Sequence, residues 1–197
     1  MQTFMPHMFF SDVAKCLDNR RLNKQKVECK QIFLALTDPN YGWQNHPAVL
    51  MWKGFEFALL DYALYIAEEC IKRGMKDTLK PFFHDAARDY NFKQFGAPAW
   101  VYDERLISSH RANLLRKDPV HYGKFGWKEQ PAMHYFWPTH HKEYREFLEE
   151  PRIQKVESKH KVIWQDFSGV RERIDPEHNN NGVFWVEFPI RPEGERI

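Results

Sequence analysis

The fold turns on Pro47-Ala48-Val49-Leu50-Met51-Trp52-Lys53-Gly54-Phe55-Glu56-Phe57-Ala58-Leu59-Leu60-Asp61-Tyr62-Ala63-Leu64-Tyr65-Ile66-Ala67-Glu68-Glu69-Cys70-Ile71-Lys72-Arg73-Gly74. At 100° per residue, Trp52, Phe55, Leu59, Tyr62, Ile66 and Cys70 fall on one stripe, which reads as a helix face turned into a core. Pro47 suits a first helical turn, where no amide donor is needed, and Lys72-Arg73-Gly74 supplies a basic last turn followed by a stop. Upstream, a helix is predicted from Ser11, a candidate N-cap, to Leu36, ahead of the turn-rich Thr37-Asp38-Pro39-Asn40-Tyr41-Gly42. On it Leu22, Cys29, Phe33 and Leu36 share one stripe while Arg21, Lys24 and Glu28 share the adjacent one, so a carboxylate sits on a cationic face. Downstream, Lys80 to Tyr90 and Tyr102 to Lys117 read as further helices, the second halted by Asp118-Pro119.

Beyond Gln130 the character changes. Pro131, Pro138 and Pro151 punctuate a stretch that includes the acidic run Glu143 to Glu150, read as a short helix. Lys161 to Phe167 and Val183 to Phe188 are β-rich, with Asn179-Asn180-Asn181-Gly182 as a turn signal between them, which predicts a two-stranded hairpin. The expected fold class is therefore mainly α. A compact helical body of three or four helices occupies residues 1–130, and a C-terminal extension, 131–197, carries the hairpin and packs on that body.

The 197 residues, 43% apolar and 16% aromatic, hold too much large apolar side chain for a disordered chain. No window approaches the roughly 18 apolar residues of a membrane span, and the N-terminus lacks the basic and apolar regions of a secretory signal. Three cysteines, Cys16, Cys29 and Cys70, form no CxxC pair and read as reduced thiols. Net charge is only +2, but its distribution is uneven. Basic residues gather in Lys15 to Gln31 and again in Arg105 to Lys128, a pattern that fits either a local polyanion footprint or two solvated helix faces.

Several runs resemble one family in order as well as in composition. These are Leu17-Asp18-Asn19-Arg20-Arg21-Leu22, Lys24-Gln25-Lys26-Val27-Glu28, Gly42-Trp43-Gln44-Asn45-His46-Pro47, Ile66 to Gly74 with Asp77-Thr78, Ser109-His110-Arg111-Ala112-Asn113-Leu114-Leu115, and Pro119 with Tyr122-Gly123-Lys124. Together, across roughly residues 11 to 128, they are similar to the phage endonuclease V type of pyrimidine-dimer DNA glycosylases and AP lyases. The resemblance implies a displaced nucleotide, cleavage of its glycosidic bond, double-stranded DNA as partner and no cofactor or metal. It also fits a monomer in the cytoplasm of a bacterial cell, or of the host if the chain is phage-encoded.

The implied chemistry places demands on residue types. An amine attacks the sugar C1′, the base departs, and the resulting imine lets a C2′ proton leave so that the 3′-phosphate is eliminated. An α-amine, with a reference pKa of about 7.7 to 8.0, is partly neutral near pH 7, whereas lysine at about 10.4 is not. Glu28 is the candidate carboxylate that stabilises positive charge at the sugar and moves protons, although a plain i, i+4 pair with Lys24 is its alternative role. The family's better-known enzymes use a threonine amine exposed by loss of the initiator methionine. Here bulky Gln2 favours retention of Met1, and the segment before Leu22 is longer. Either Met1 folds back onto Glu28 and supplies the amine, or the lyase step is absent.

Arg20, Arg21, Lys24, Lys26, His46, His110, Arg111, Tyr122 and Lys124 are the candidate DNA-binding residues, with Tyr122 available for stacking; helix surface or core packing is the alternative role of His110, Arg111, Tyr122 and Lys124. His46, just before Pro47, suits an N-terminal helix cap better than direct catalysis. Trp43, Trp100 and Trp127 read as packing. His134, His140 and His141 lack metal-ligand spacing. Two further readings stay open: a monofunctional glycosylase for another modified pyrimidine, and a non-enzymatic helical DNA-binding module.

Overall fold

A computed structural model describes residues 1–92 and 96–140, together with the backbone of 156–158, 161–165 and 171–174. Seven α-helices occur among these residues: α1 Phe10–Cys16, α2 Asn19–Thr37, α3 Pro47–Leu50, α4 Glu56–Lys72, α5 Lys80–Asp89, α6 Glu104–Lys117 and α7 Pro119–Tyr122. The count exceeds three or four because two expected long helices are each broken in two and a short α7 follows α6. Asp18 stops the first: its backbone is extended (φ −64°, ψ 159°), and its carboxylate accepts from the Arg20 and Arg21 amides at 3.0 and 3.1 Å. An Asp in that role satisfies donors a new helix would otherwise leave open, and this gain outweighs continuing the old helix through Leu17. Gly54, at φ +82°, breaks the second and gives α4 its own start.

The stripe read from the sequence is the centre of the core. Trp52, Phe55, Leu59, Tyr62, Ile66 and Cys70 are all buried, as are Leu22, Cys29 and Phe33 of α2. Helix α4 packs against α1, α2 and α5. Each fully buried aliphatic or aromatic side chain on this face contributes roughly 1.5–3 kcal/mol relative to exposure. Arg73, at the end of α4, donates to the Ala14, Lys15 and Leu17 carbonyls and so caps the last turn of α1.

The C-terminal hairpin expected between 161–167 and 183–188 is not supported. Strand β2, Lys161–Gln165, is flanked by β1, Val156–Ser158, and β3, Arg171–Ile174, in an antiparallel sheet of order β1-β2-β3. Val156 faces Ile163 across one edge and Gln165 faces Arg171 across the other, so both edges of β2 are already paired. The run 183–188, its turn at 179–182 and the acidic run 143–150 lie outside the described residues. Residues 132–136 bind α6: Ala132 N donates to Ala112 O, Asn113 Nδ2 to Met133 O, the Tyr135 hydroxyl to Asn113 Oδ1, and Phe136 N to Ser109 Oγ.

The first nine residues, without helix or strand and bent over 6–9, form a strap laid across the helices, and side chains rather than a sheet satisfy its backbone. Phe4 N donates to Gln25 Oε1 (2.8 Å), and Gln25 Nε2 donates back to Gln2 O (3.0 Å). The Tyr62 hydroxyl lies 2.8 Å from Gln25 Oε1 and 3.0 Å from Phe4 O. Trp52 Nε1 donates to Thr3 Oγ1, Met5 N to His110 Nδ1, and Arg111 Nε to Pro6 O. A buried backbone group left without a partner would cost roughly 1–3 kcal/mol, so these polar side chains make burial of the strap possible.

His110 is the most constrained of them. It is fully buried, its Nδ1 accepts from Met5 N, and its Nε2 has no protein partner, so the ring is neutral with its proton on Nε2. Burial lowers its pKa from 6.5 to about 3. Stability from this group is complete above about 6.5 and falls as pH drops toward about 3, because the unfolded chain takes up a proton the folded ring refuses, at about 1.4 kcal/mol per pH unit. Urea melts between pH 7 and 4.5 are expected to show this dependence, and a folded His110→Asn variant is expected to lose most of it. An unchanged slope in that variant would show that the ring is not the neutral anchor.

Candidate functional site

The strap ends at a carboxylate. The Met1 α-amine lies 3.8 Å from Glu28 Oε2, and the Gln2 amide donates to the same oxygen at 3.2 Å. The other carboxylate oxygen is 3.4 Å from Lys24 Nζ. Glu28 sits on the third turn of α2, on its cationic face, and its side chain and that of Met1 are nearly buried, whereas Lys24 is 60% exposed. The Lys24 pair, the alternative to a catalytic role for Glu28, is thus present on one oxygen, and the N-terminus lies beside the other.

His46 stands at the rim. Its Nδ1 accepts from the Ala48 amide at 3.1 Å, making it the N-cap of α3. Its pKa is lowered, first by burial and then by the positive Met1 amine, while Glu28 opposes the shift; both charges therefore act on the ring. The imidazole meets Trp43 on one side and Trp137 on the other, with centroids 6.0 and 6.2 Å away. Trp43, expected as packing, is instead 70% exposed, and its φ of +71° is the one positive value among described non-glycine residues. A bulky side chain in that conformation costs on the order of 1–2 kcal/mol. Of the other two tryptophans, Trp100 is buried with Nε1 on Met51 O, and Trp127 stacks on Tyr122 and Phe125.

The expected DNA-binding set separates by exposure. Arg20, Lys24 and Lys124 are exposed. Lys26 is buried and paired with Asp77 at 2.8 Å, also donating to the Lys76 carbonyl, and His110 and Arg111 hold the strap. Arg111 also pairs with Glu104 and Glu129. Tyr122 is fully buried, so its ring has no face to offer a base; stacking there is replaced by a hydroxyl bond of 2.5 Å to Asp18 Oδ2. Arg21 donates to the same Asp18 oxygen at 2.6 Å. Burial alone would raise the Asp18 carboxyl, but the Tyr122 and Arg21 hydrogen bonds outweigh it and hold the pKa below the usual range. Arg21 therefore reaches a phosphate only at the expense of Asp18.

The residues that sequence reasoning missed are the strap anchors Gln25, Trp52 and Tyr62, polar groups on an otherwise apolar face. A Gln facing the core between Leu22 and Cys29 is the signal that could have marked them. Among the described residues no group of three His, Cys, Asp or Glu side chains converges to hold a metal ion.

Comparison with known families finds a match over residues 1–81 to the family described as pyrimidine dimer DNA glycosylase. That span contains the strap, Met1, Glu28, His46 and all of α4, and stops short of the Tyr122-Gly123-Lys124 region. Searches of curated proteins and of solved structures gave no match. Over residues 1–81, which include both members of the amine-carboxylate pair, the chain is similar to the pyrimidine dimer DNA glycosylase family.

Proposed function

We propose that this chain is a base-excision glycosylase for pyrimidine dimers in duplex DNA, with strand cleavage coupled through an imine on the Met1 amine. The observation that carries the reading is the Met1 amine held 3.8 Å from the Glu28 carboxylate by a strap pinned along its length. The amine must lose a proton before its lone pair can attack C1′. Glu28 stands where it can accept that proton. As the glycosidic bond breaks, its electron pair leaves with the base and positive charge grows on the sugar beside the same carboxylate. That interaction is stronger in the transition state than in the ground state, which is what accelerates the step. The sugar ring then opens: the nitrogen lone pair forms C1′=N as the C1′–O4′ bond breaks and O4′ takes up a proton, and from this iminium loss of the C2′ proton supplies the electrons that break the C3′–O bond, so that the 3′-phosphate departs.

Preorganisation favours this assignment over a lysine nucleophile. Among nearby lysines, Lys24 is exposed and Lys26 is engaged with Asp77. The α-amine has a short tether whose position is fixed by the Gln2 and Phe4 hydrogen bonds, so little orientational freedom is lost when it attacks.

Glu28→Gln is expected to fold, bind a dimer-bearing duplex and lose at least about 100-fold in excision, the scale of a positioned acid-base group. Near-normal excision by the folded variant would remove Glu28 from the mechanism. On an end-labelled duplex carrying one dimer, borohydride is expected to trap a covalent adduct on the peptide that begins at Met1, and acetylation of the amine to abolish both trapping and strand cleavage. Cleavage only after alkali would instead identify a monofunctional enzyme, and gel shift without either a DNA-binding module. Replacing exposed Arg20 or Lys24 by Ala is expected to weaken binding on all sequences and to reduce the salt slope by about one for each phosphate no longer neutralised. A fixed salt slope accompanied by a collapse of lesion discrimination would assign them to lesion reading.

A further inference from the structure

Trp43 has no evident role in folding. Its indole is 70% exposed, more than any other large aromatic among the described residues, and its backbone is held in the left-handed region that a bulky side chain avoids. The loop around it is nevertheless fixed. Trp43 O accepts from His46 N at 2.9 Å, Gln44 Nε2 donates to the Asp38 and Pro39 carbonyls, and Asn40 N donates to Asp38 Oδ1. A rigid loop presenting an exposed, strained aromatic next to a candidate site is the arrangement from which function is properly inferred.

Its surroundings indicate what the ring meets. His46 supports one edge of the indole at 6.0 Å and is itself backed by Trp137, which leans on Tyr135. This aromatic rack reaches the core, because Tyr135 lies against both Phe4 of the strap and His110. His46 caps α3, which packs against α2, the helix that carries Glu28, so Trp43 stands at the border of the element that holds the amine-carboxylate pair. The exposed cation Lys24, on the other oxygen of Glu28, offers a phosphate partner beside that pair. A flat, electron-rich surface beside a cation and a reacting centre fits the π-face of a nucleobase, which stacks on indole with little regard to sequence. The two pyrimidines of a dimer have lost the double bond that keeps a ring planar, so the better stacking partner is an intact base next to the damage.

We propose that Trp43 is a specificity-determining residue on which an intact base beside the lesion stacks, fixing the damaged nucleotide over Met1. The assignment rests on the glycosylase reading above. It gives that site a means of sensing disrupted stacking without a hydrogen-bond code: a base already loosened by damage transfers to indole more easily than one in an undamaged stack.

The test places 2-aminopurine next to a single dimer in a duplex and follows its fluorescence and the binding affinity for wild type, Trp43→Ala, Trp43→Phe and Trp43→Gly. Wild type is expected to quench the probe on binding. The Ala and Gly variants are expected to lose the quenching and about tenfold in affinity, and Phe to recover most of both. Gly adopts the left-handed backbone without strain, so its melting temperature is expected to be no lower than wild type, which separates loss of stacking from loss of fold. Unchanged quenching and affinity in the Ala and Gly variants would overturn the assignment, as would a wild type that binds without quenching. Binding and quenching need no turnover. A wild type that quenches but never excises would therefore overturn the glycosylase reading alone, whereas excision with Trp43-independent quenching would overturn the stacking assignment alone.

Discussion

The structure depends on the way an N-terminal segment is buried without a sheet to pair with. A strap in a helical protein brings with it backbone donors and acceptors that no neighbouring strand can satisfy. Here Gln25, Tyr62, His110 and Arg111, drawn from α2, α4 and α6, satisfy them individually, while Trp52 in the α3–α4 link donates to the Thr3 hydroxyl. Each of these side chains is thereby kept from another task. His110 and Arg111 look like DNA-binding groups from composition, but they hold residues 5 and 6. The position of the first residue follows: with residues 2 to 6 fixed, the Met1 amine has only one short bond series of freedom, and that brings it to Glu28.

The electrostatics of the site follow from the same packing. Glu28 lies on the basic face of α2, yet the neighbouring cations are not equivalent. Arg21 is committed to Asp18, Lys26 to Asp77, and only Lys24 shares the Glu28 carboxylate with the N-terminus. A carboxylate nearly withdrawn from water interacts more strongly with charge that develops beside it than an exposed one would. His46, held as a neutral cap on α3, adds no competing positive charge at the rim. The basic stretches therefore divide into structural ion pairs, those of Arg21 and Lys26 among them, and an exposed set that includes Arg20, Lys24, Arg116, Lys117, Lys124 and Lys128.

How legible this is in the sequence varies with the physical signal. The stripe from Trp52 to Cys70 is readable because six apolar side chains at helical spacing leave few alternatives, although only four of them lie on α4 itself. Helix ends are less readable: Asp18 lies inside a stretch whose periodicity continues on either side, and a local cap outcompetes that pattern. Glu28 can be placed on a face but not beside Met1, since a strap without helix or strand has no period and its bonds span 21 to 105 residues of sequence. Tyr122 misleads because a Tyr-Gly-Lys run looks like a surface turn, and nothing local announces that the ring is enclosed by Trp127, Phe125 and Asp18. Trp43 misleads in the opposite sense, toward packing, since tryptophan is usually well buried and its left-handed backbone leaves no mark in composition. In the extension, the β-rich composition of 161–165 marks a strand but does not identify its partners, which for short strands depends on distant segments.

The account stands on the N-terminal amine being delivered to the reacting carbon beside Glu28. The most direct measurement is a crystal structure of the borohydride-reduced complex with a dimer-bearing duplex. The account predicts a covalent bond from Met1 N to C1′ of the damaged nucleotide, with a Glu28 carboxylate oxygen next to that nitrogen and the strap still bonded to Gln25 and His110. A C1′ attached to a lysine, or a strap displaced from α2 with Glu28 remote from the sugar, would contradict it.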